Sequence, residues 1–171
     1  AIERTTVRGA THLVKSFDPK AYPELAANEY FCLRAAALAG IPVARAELSA
    51  DRRILAVERF DLTPHGSYLV CEDFCVLSAL RPHGRYTGSY ETLVRRLGQF
   101  VSPLEQRAAI EVFFTMLALS CALENGDAHL KNFAVLYENP QSKVRLAPAY
   151  DLVSTTPYVP RDSLALSLGE S

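Results

Sequence analysis

An uncharged run from Val112 to Leu123 ends abruptly in Glu124-Asn125-Gly126-Asp127-Ala128-His129-Leu130-Lys131-Asn132, and apolar residues resume at Phe133-Ala134-Val135-Leu136-Tyr137. Both flanks are stretches that fold by being buried, so the polar turn between them is held from both ends. A dense polar turn on such a scaffold is where chemistry is presented.

Within that turn, Asp127 and Asn132 enclose four residues, which is the acid-to-amide spacing of the catalytic loop of protein kinases. In such a loop the acid accepts a proton from a substrate hydroxyl. The amide, with a second acid, holds magnesium against the phosphates of ATP, since hard oxygens suit that ion. Asp151 is the second acid in this reading, brought round by a hairpin of residues 133–137 and 144–147. Taken singly, each acid has a plainer role: Asp127 as a turn former in Asn-Gly-Asp, Asp151 as a helix cap or strand-end carboxylate. His129 and Lys131 are both placed to neutralise phosphate charge. His129 is equally suited to a structural bond with backbone or with Asp151.

Upstream, residues 12–17 read as a short strand whose one charge is Lys15. That lysine either faces solvent on an edge strand or reaches nucleotide phosphates. Residues 22–39 are helical, with Leu25, Ala26, Tyr30, Leu33, Ala37 and Leu38 at steps of three and four, stopped by Gly40 and Pro42. Glu29 on this helix either pairs with Lys15 or is solvated. Residues 43–49 and 53–60 form a hairpin. Its second strand turns charged at Glu58-Arg59-Phe60-Asp61, which suits a hinge whose backbone bonds a nucleobase.

Thr63-Pro64-His65-Gly66 is a loop, residues 68–71 a strand, 72–80 a helix and 81–89 a flexible connection. Residues 90–100 are an amphipathic helix. Ser102, Pro103 and Glu105 mark the start of another, reaching Leu123 and apolar on nearly every side after Glu111. That helix is expected to be a buried spine.

Composition narrows the field. With 49% hydrophobic residues among 171, the chain can bury one core or two small lobes. A net charge of −1 and a pI of about 6.5 do not mark the chain as a binder of nucleic acid or anionic membrane. Cys32, Cys71, Cys75 and Cys121 include no C-x-x-C pair and read as buried free thiols of a reducing cytoplasm. No leader is visible in residues 1–20, and the apolar run is too short to span a bilayer. The expectation is a cytoplasmic protein without a membrane partner.

Several segments, in order along the chain, carry a family resemblance. They are Thr11-His12-Leu13-Val14-Lys15, Asn28-Glu29-Tyr30, Ala56-Val57-Glu58-Arg59-Phe60-Asp61, Glu72-Asp73-Phe74-Cys75, Asn125 to Phe133, and Leu146-Ala147-Pro148-Ala149-Tyr150-Asp151-Leu152. On these the sequence resembles the HipA-type serine/threonine kinases of bacterial toxin–antitoxin systems. The resemblance implies an α+β, protein-kinase-like fold of two lobes. A small β-rich lobe with the hinge would occupy residues 1–66, and a largely helical lobe residues 67–171. It implies Asp127 as catalytic base, Lys15 on the ATP phosphates and Glu58, Arg59 and Phe60 as the adenine hinge. His129, Asn132, Tyr150 and Asp151 would belong to the nucleotide and metal site, Asn132 and Asp151 holding Mg2+. The implied substrate is a protein serine or threonine, with aminoacyl-tRNA synthetases as the family's known targets. The implied partner is a small DNA-binding antitoxin, so that DNA is met only indirectly.

The pattern is also broken. Family members carry a glycine-containing, serine-bearing phosphate loop well before the strand lysine, whereas fourteen residues precede Lys15 and Gly9 stands alone among them. Asp151 is followed by Leu152-Val153 rather than Phe-Gly. The chain reads as the middle of a longer kinase and is expected to transfer phosphate poorly as it stands. Three other readings share parts of the pattern: an aminoglycoside-type small-molecule kinase, a non-catalytic nucleotide-binding module, and a metal phosphoesterase on Asp127, His129 and Asp151.

Overall fold

The structure, a computed structural model, describes residues 9–63 and 65–169. Residues 1–8, at the start of the first expected lobe, Pro64 of the 63–66 loop, and Glu170 and Ser171 lie outside the described residues.

The first sheet has strand order β1-β3-β2, all antiparallel, from β1 (His12–Ser16), β2 (Ala46–Leu48) and β3 (Ile54–Glu58). Register sets its faces. Lys15 lies opposite Leu55 and Leu13 opposite Val57, so Lys15 shares a face with the buried Leu55 and Val57. Helix α1 (Leu25–Leu38) follows β1 and presents Ala26, Ala27, Glu29, Leu33 and Ala36 inward. It ends as its sequence dictates. Gly40, at φ +79, takes the left-handed position after the cap, and the Gly40 and Ile41 amides return to the carbonyls of Ala37 and Ala36.

The second sheet has order β4-β5-β6, from β4 (Val70–Asp73), β5 (Ala134–Tyr137) and β6 (Arg145–Leu146). The expected hairpin of β5 and β6 is present, but β5 is also paired on its other side, with Val70 opposite Tyr137 and Asp73 opposite Ala134. A strand paired on both sides and buried at Ala134, Val135 and Leu136 explains the apolar run after the polar turn. Glu72 and Asp73, expected in a helix, are the end of β4. Asp73 accepts the Val76 amide at 2.9 Å and so caps a single turn, α2 (Phe74–Leu77).

Two longer helices complete the fold, α3 (Tyr90–Phe100), capped by Ser89, and α4 (Gln106–Ala122). The expected serine cap of α4 is not formed. Ser102 Oγ accepts the Val144 amide instead, and the residue before α4 is Glu105, with no side-chain cap. Nor is α4 buried all round. Ala109, Phe113, Met116, Leu117 and Ser120 form a single buried stripe, while Phe114 is 70% exposed. Its stripe packs with α1, α3 and the 128–135 segment in the main core. Two of the four free cysteines, Cys71 and Cys121, are exposed rather than buried. Among the described residues no helix is long and apolar enough to cross a membrane.

Candidate active site

The polar turn begins where α4 stops. Glu124 takes φ +52, the Glu124 amide bonds the Cys121 carbonyl and the Asn125 amide the Ser120 carbonyl, the paired bonds of a Schellman cap. Glycine usually fills that left-handed position, so the glutamate carries strain there. Cross-links from Thr155 and Thr156 offset it. Thr155 gives its amide and hydroxyl to the Glu124 carbonyl, and Thr156 its hydroxyl to the Glu124 carboxylate at 2.7 Å.

Beyond the cap, each residue of the turn is fixed by a different partner. Asn125, 2% exposed, accepts the Asp127 amide through Oδ1 at 3.0 Å. The Gly126 amide donates to Thr155 Oγ1 at 2.8 Å. A Cβ on Gly126 would lie 2.1 Å from Asp162 Oδ2, so any larger residue would have to push that carboxylate aside. The buried Tyr90 hydroxyl donates to the Ala128 carbonyl at 3.0 Å, and the Tyr150 hydroxyl to that of Lys131 at 2.7 Å. The backbone is thereby tied to α3 and to the segment after β6 at once.

Asp127 itself is open, its side chain 48% exposed. Its Oδ1 accepts the Tyr86 hydroxyl at 2.7 Å and lies 3.8 Å from His129 Nε2. It also borders a cleft of about 580 Å³, lined by Tyr22, Tyr86, Thr155, Tyr158 and Asp162 among others. His129 makes no bond to Asp151. Its Nδ1 is buried without a hydrogen-bond partner, and burial holds its pKa below the ordinary histidine value, so the ring is neutral at pH 7.

Lys15 and Asp151 meet at a second centre. Lys15 Nζ lies 2.5 Å from Glu29 Oε1 and also bonds Asp151 Oδ1. Glu29 is 3% exposed, which removes the solvated alternative for that residue. Burial pulls the Lys15 ammonium down, but the two carboxylates outweigh it and its pKa stands above the ordinary value. Burial pushes the Glu29 carboxyl up; Lys15 offsets only part of this, and the Asp151 charge adds to the rise. Asp151 occupies a left-handed conformation, φ +50, held by the bonds of Ala149 to Pro42 and Ala44 and by Asn28, which brackets Ser154 with both of its amide atoms. Asn132 Nδ2 reaches the Asp151 carbonyl at 3.3 Å, while Asn132 Oδ1 is buried with no partner.

The remaining expected residues divide. At the hinge, the Glu58 and Arg59 amides are committed to the Arg45 and Thr11 carbonyls, and the Phe60 amide has no partner among the described residues. The Arg59 guanidinium pairs with Asp61 and lies over the Tyr68 ring. The Phe60 ring stacks at 5.3 Å on Tyr150, whose hydroxyl burial holds well above the ordinary pKa. Lys131 stands apart: its ammonium pairs with Asp73 at 3.0 Å. Among the described residues no cluster of three or more histidine, cysteine, aspartate or glutamate side chains could hold a metal ion, so Asp127, His129 and Asp151 are not gathered as a phosphoesterase centre would require.

Sequence reasoning passed over Tyr86, Thr155 and Asp162, and gave no role to Asn28 or Asp73 although both stand in the segments of resemblance. Tyr86 lies in residues 81–89, read as a flexible connection, where a lone aromatic among polar residues was the only signal. The segment is instead a 3-10 turn (Pro82–Tyr86) leading into the Ser89 cap of α3.

A lysine–glutamate pair meeting an aspartate, beside an acid-and-amide loop on two small sheets and a helical layer, defines an α+β fold of the protein-kinase type. HipA of Shewanella oneidensis MR-1, solved with HipB and its operator DNA, matches with a TM-score of 0.77 and 25% identity, covering 92% of this chain and 41% of that one. The family model of the HipA-like C-terminal domain matches residues 1–171, and the chain belongs to that family. The proinflammatory kinase CtkA of Helicobacter pylori shares the fold, with a TM-score of 0.65 at 19% identity over 84% of this chain and 50% of its own. Two proteins of Sinorhizobium fredii are similar in sequence. "Putative kinase Y4dM" is 36% identical over 137 residues, 79% of this chain and 32% of its own length. "Putative kinase Y4mE" is 33% identical over 159 residues, 88% of this chain and 37% of its own length. The chain thus spans roughly a third of the length of these curated relatives.

Proposed function

We propose that this chain is the phosphoryl-transfer core of an ATP- and Mg2+-dependent kinase acting on a protein serine or threonine. The observation that carries the reading is the Lys15–Glu29 pair meeting Asp151, next to an asparagine whose buried Oδ1 has no partner. An orphaned buried acceptor costs stability unless something completes it. Beside a carboxylate, a hard divalent cation is the fitting complement. Asn132 and Asp151 would hold the magnesium, which when bound neutralises charge on the phosphates.

In this reading Lys15 orients the phosphates, and Glu29 fixes Lys15. The Phe60 amide, without a partner among the described residues and with the rings of Phe60 and Tyr150 behind it, suits the edge and face of an adenine. Asp127 takes the proton of the acceptor hydroxyl in the open cleft. The neutral His129 offers Nδ1 to the nucleotide. Lys131 acts on the site only if it leaves Asp73.

The wider role follows the HipA relative, which was solved with HipB and operator DNA. By that likeness the whole protein would be a toxin kinase held by a small DNA-binding antitoxin. The family resemblance of the sequence adds a cytoplasmic setting and a protein target such as an aminoacyl-tRNA synthetase. Intact-mass analysis of the natural full-length protein with ATP and Mg2+, wild type beside Asp127→Ala, tests the reaction. A gain of phosphate on the protein or on an added acceptor, lost in the variant, is expected. No ATP turnover by the wild type would sink the kinase reading.

A further inference from the structure

Three sets of contacts fix the backbone around Asp127, through Asn125, Thr155 and Tyr90, and none of them touches its carboxylate. A half-exposed aspartate on a turn rotates freely unless its oxygens are held. The one hydrogen bond to that carboxylate among the described residues comes from Tyr86. We propose that Tyr86 is a positioning residue for Asp127: its hydroxyl holds Oδ1, so that Oδ2 faces the cleft as the proton acceptor. This rests on the kinase reading of the site.

The mount of Tyr86 suits the task. The Gly84 amide bonds the Arg81 carbonyl at 2.8 Å and the Thr87 amide the Gly84 carbonyl at 3.0 Å, which closes the turn. The buried Cys75 thiol donates to the Leu80 and Arg81 carbonyls at its near end. At its far end the Gly88 carbonyl accepts from Ser167. The ring is held on two sides, edge-on against His129 at 4.9 Å and beneath the Arg85 guanidinium at 5.0 Å. Tyr86 is 47% exposed, so it is these two contacts and the closed turn that hold the ring and aim its O–H at Asp127. Partial desolvation and the bond to Asp127 raise the phenol above its ordinary pKa, so it stays protonated and donates.

A donor at 2.7 Å from a carboxylate is a charge-assisted bond, strong enough to select one rotamer. Oδ2 has no partner among the described residues and is the oxygen left for an incoming hydroxyl. Held this way, the base meets its acceptor without first having to be oriented.

Replacing Tyr86 by Phe in the natural full-length protein keeps the ring and removes only the donor. ADP release from Mg–ATP is measured with myelin basic protein as acceptor, for wild type, Tyr86→Phe, Asp127→Asn and the double variant. The expected result is a ten- to hundredfold fall in kcat for Tyr86→Phe with the KM for ATP unchanged. In the Asp127→Asn background the second change should add almost nothing, because the positioned group is gone. A merely structural role would lower both backgrounds alike and overturn the proposal. A rise in kcat would make Tyr86 a stopper on the base, and phosphate found on Tyr86 itself would make it an acceptor; either overturns it. No Asp127-dependent ADP release in the wild type would mean that the kinase reading has failed and this proposal with it.

Discussion

The two acidic centres of the site are built on opposite principles. Asp151, its side chain 44% exposed, belongs to a charge cluster in which a lysine serves it and the buried Glu29, so it differs from Asp127 in its partners rather than in its exposure. Asp127 sits 48% exposed beside a cleft, with a neutral hydroxyl as its closest side-chain partner. The first centre is held by charge, so its residues matter to folding as well as to ligand binding. The second is held by backbone bonds on either side of its carboxylate, so its charge is free for chemistry. In the proposed kinase, that division would keep a rigid metal and phosphate site beside an exchangeable acceptor site.

Removing the lysine tests the division most severely. Lys15→Met leaves Glu29 buried without a counter-charge and should lower stability by about 3 kcal/mol. It should also abolish ATP-dependent transfer, measured by urea denaturation and ADP release on the same preparation. Next in size, Asp127→Asn should cost a hundredfold or more in transfer while moving stability by no more than about 0.5 kcal/mol. If Asp127→Asn destabilises as Lys15→Met does, the contrast between the centres is wrong.

Stability against pH reads the charged centre through the difference between wild type and Lys15→Met. The Lys15 ammonium, raised above its ordinary 10.5, contributes fully below pH 10.5 and is lost as pH rises through the folded value. Its loss leaves Glu29 and Asp151 facing each other, so the wild type should weaken on that alkaline limb more than Lys15→Met, in which burial-raised groups such as Cys71, Tyr90 and Tyr150 still contribute to it. Glu29 is also raised, from 4.5, so its protonation favours the folded chain. In Lys15→Met that effect is unopposed, and the variant should regain stability on acidification toward the raised value. Thermal melting at a series of pH values measures both limbs.

How much of this the sequence revealed follows the same division. Where Lys15, Asp127, Asn132 and Asp151 sit in the fold was legible because strand, loop and hairpin each carry a local pattern that places one side chain. The elements themselves were legible where a periodic run met a clear stop, as in α1 with Gly40. What was hidden depends on pairings between distant segments. Glu29 could not be told from a surface residue until Lys15 was seen opposite it. Glu72 and Asp73 extend a helical stretch in sequence, but pairing with β5 draws them into a strand. Lys131 reads as a phosphate ligand until Asp73 is known to face it. Serine, proline and glutamate at 102–105 spell a cap, yet the Val144 amide takes the serine first.

The smallest expected effect tests how the open centre is kept in place without charge. Gly126 adjoins Asp127, and a Cβ there would meet the Asp162 carboxylate at 2.1 to 2.7 Å. The obstructing atoms are the end of a side chain whose own bond, from the Ser163 amide, is local. Asp162 can therefore swing aside, and Gly126→Ala should cost only about 1 kcal/mol. If the carboxylate only fills space against the turn, Asp162→Ala should be close to neutral alone and should relieve most of the Gly126→Ala penalty in the double variant. If Asp162→Ala instead lowers stability by as much as Lys15→Met, its charge is structural. The turn around Asp127 would then be electrostatically braced like the other centre, and the contrast between them would narrow to the carboxylate of Asp127 itself.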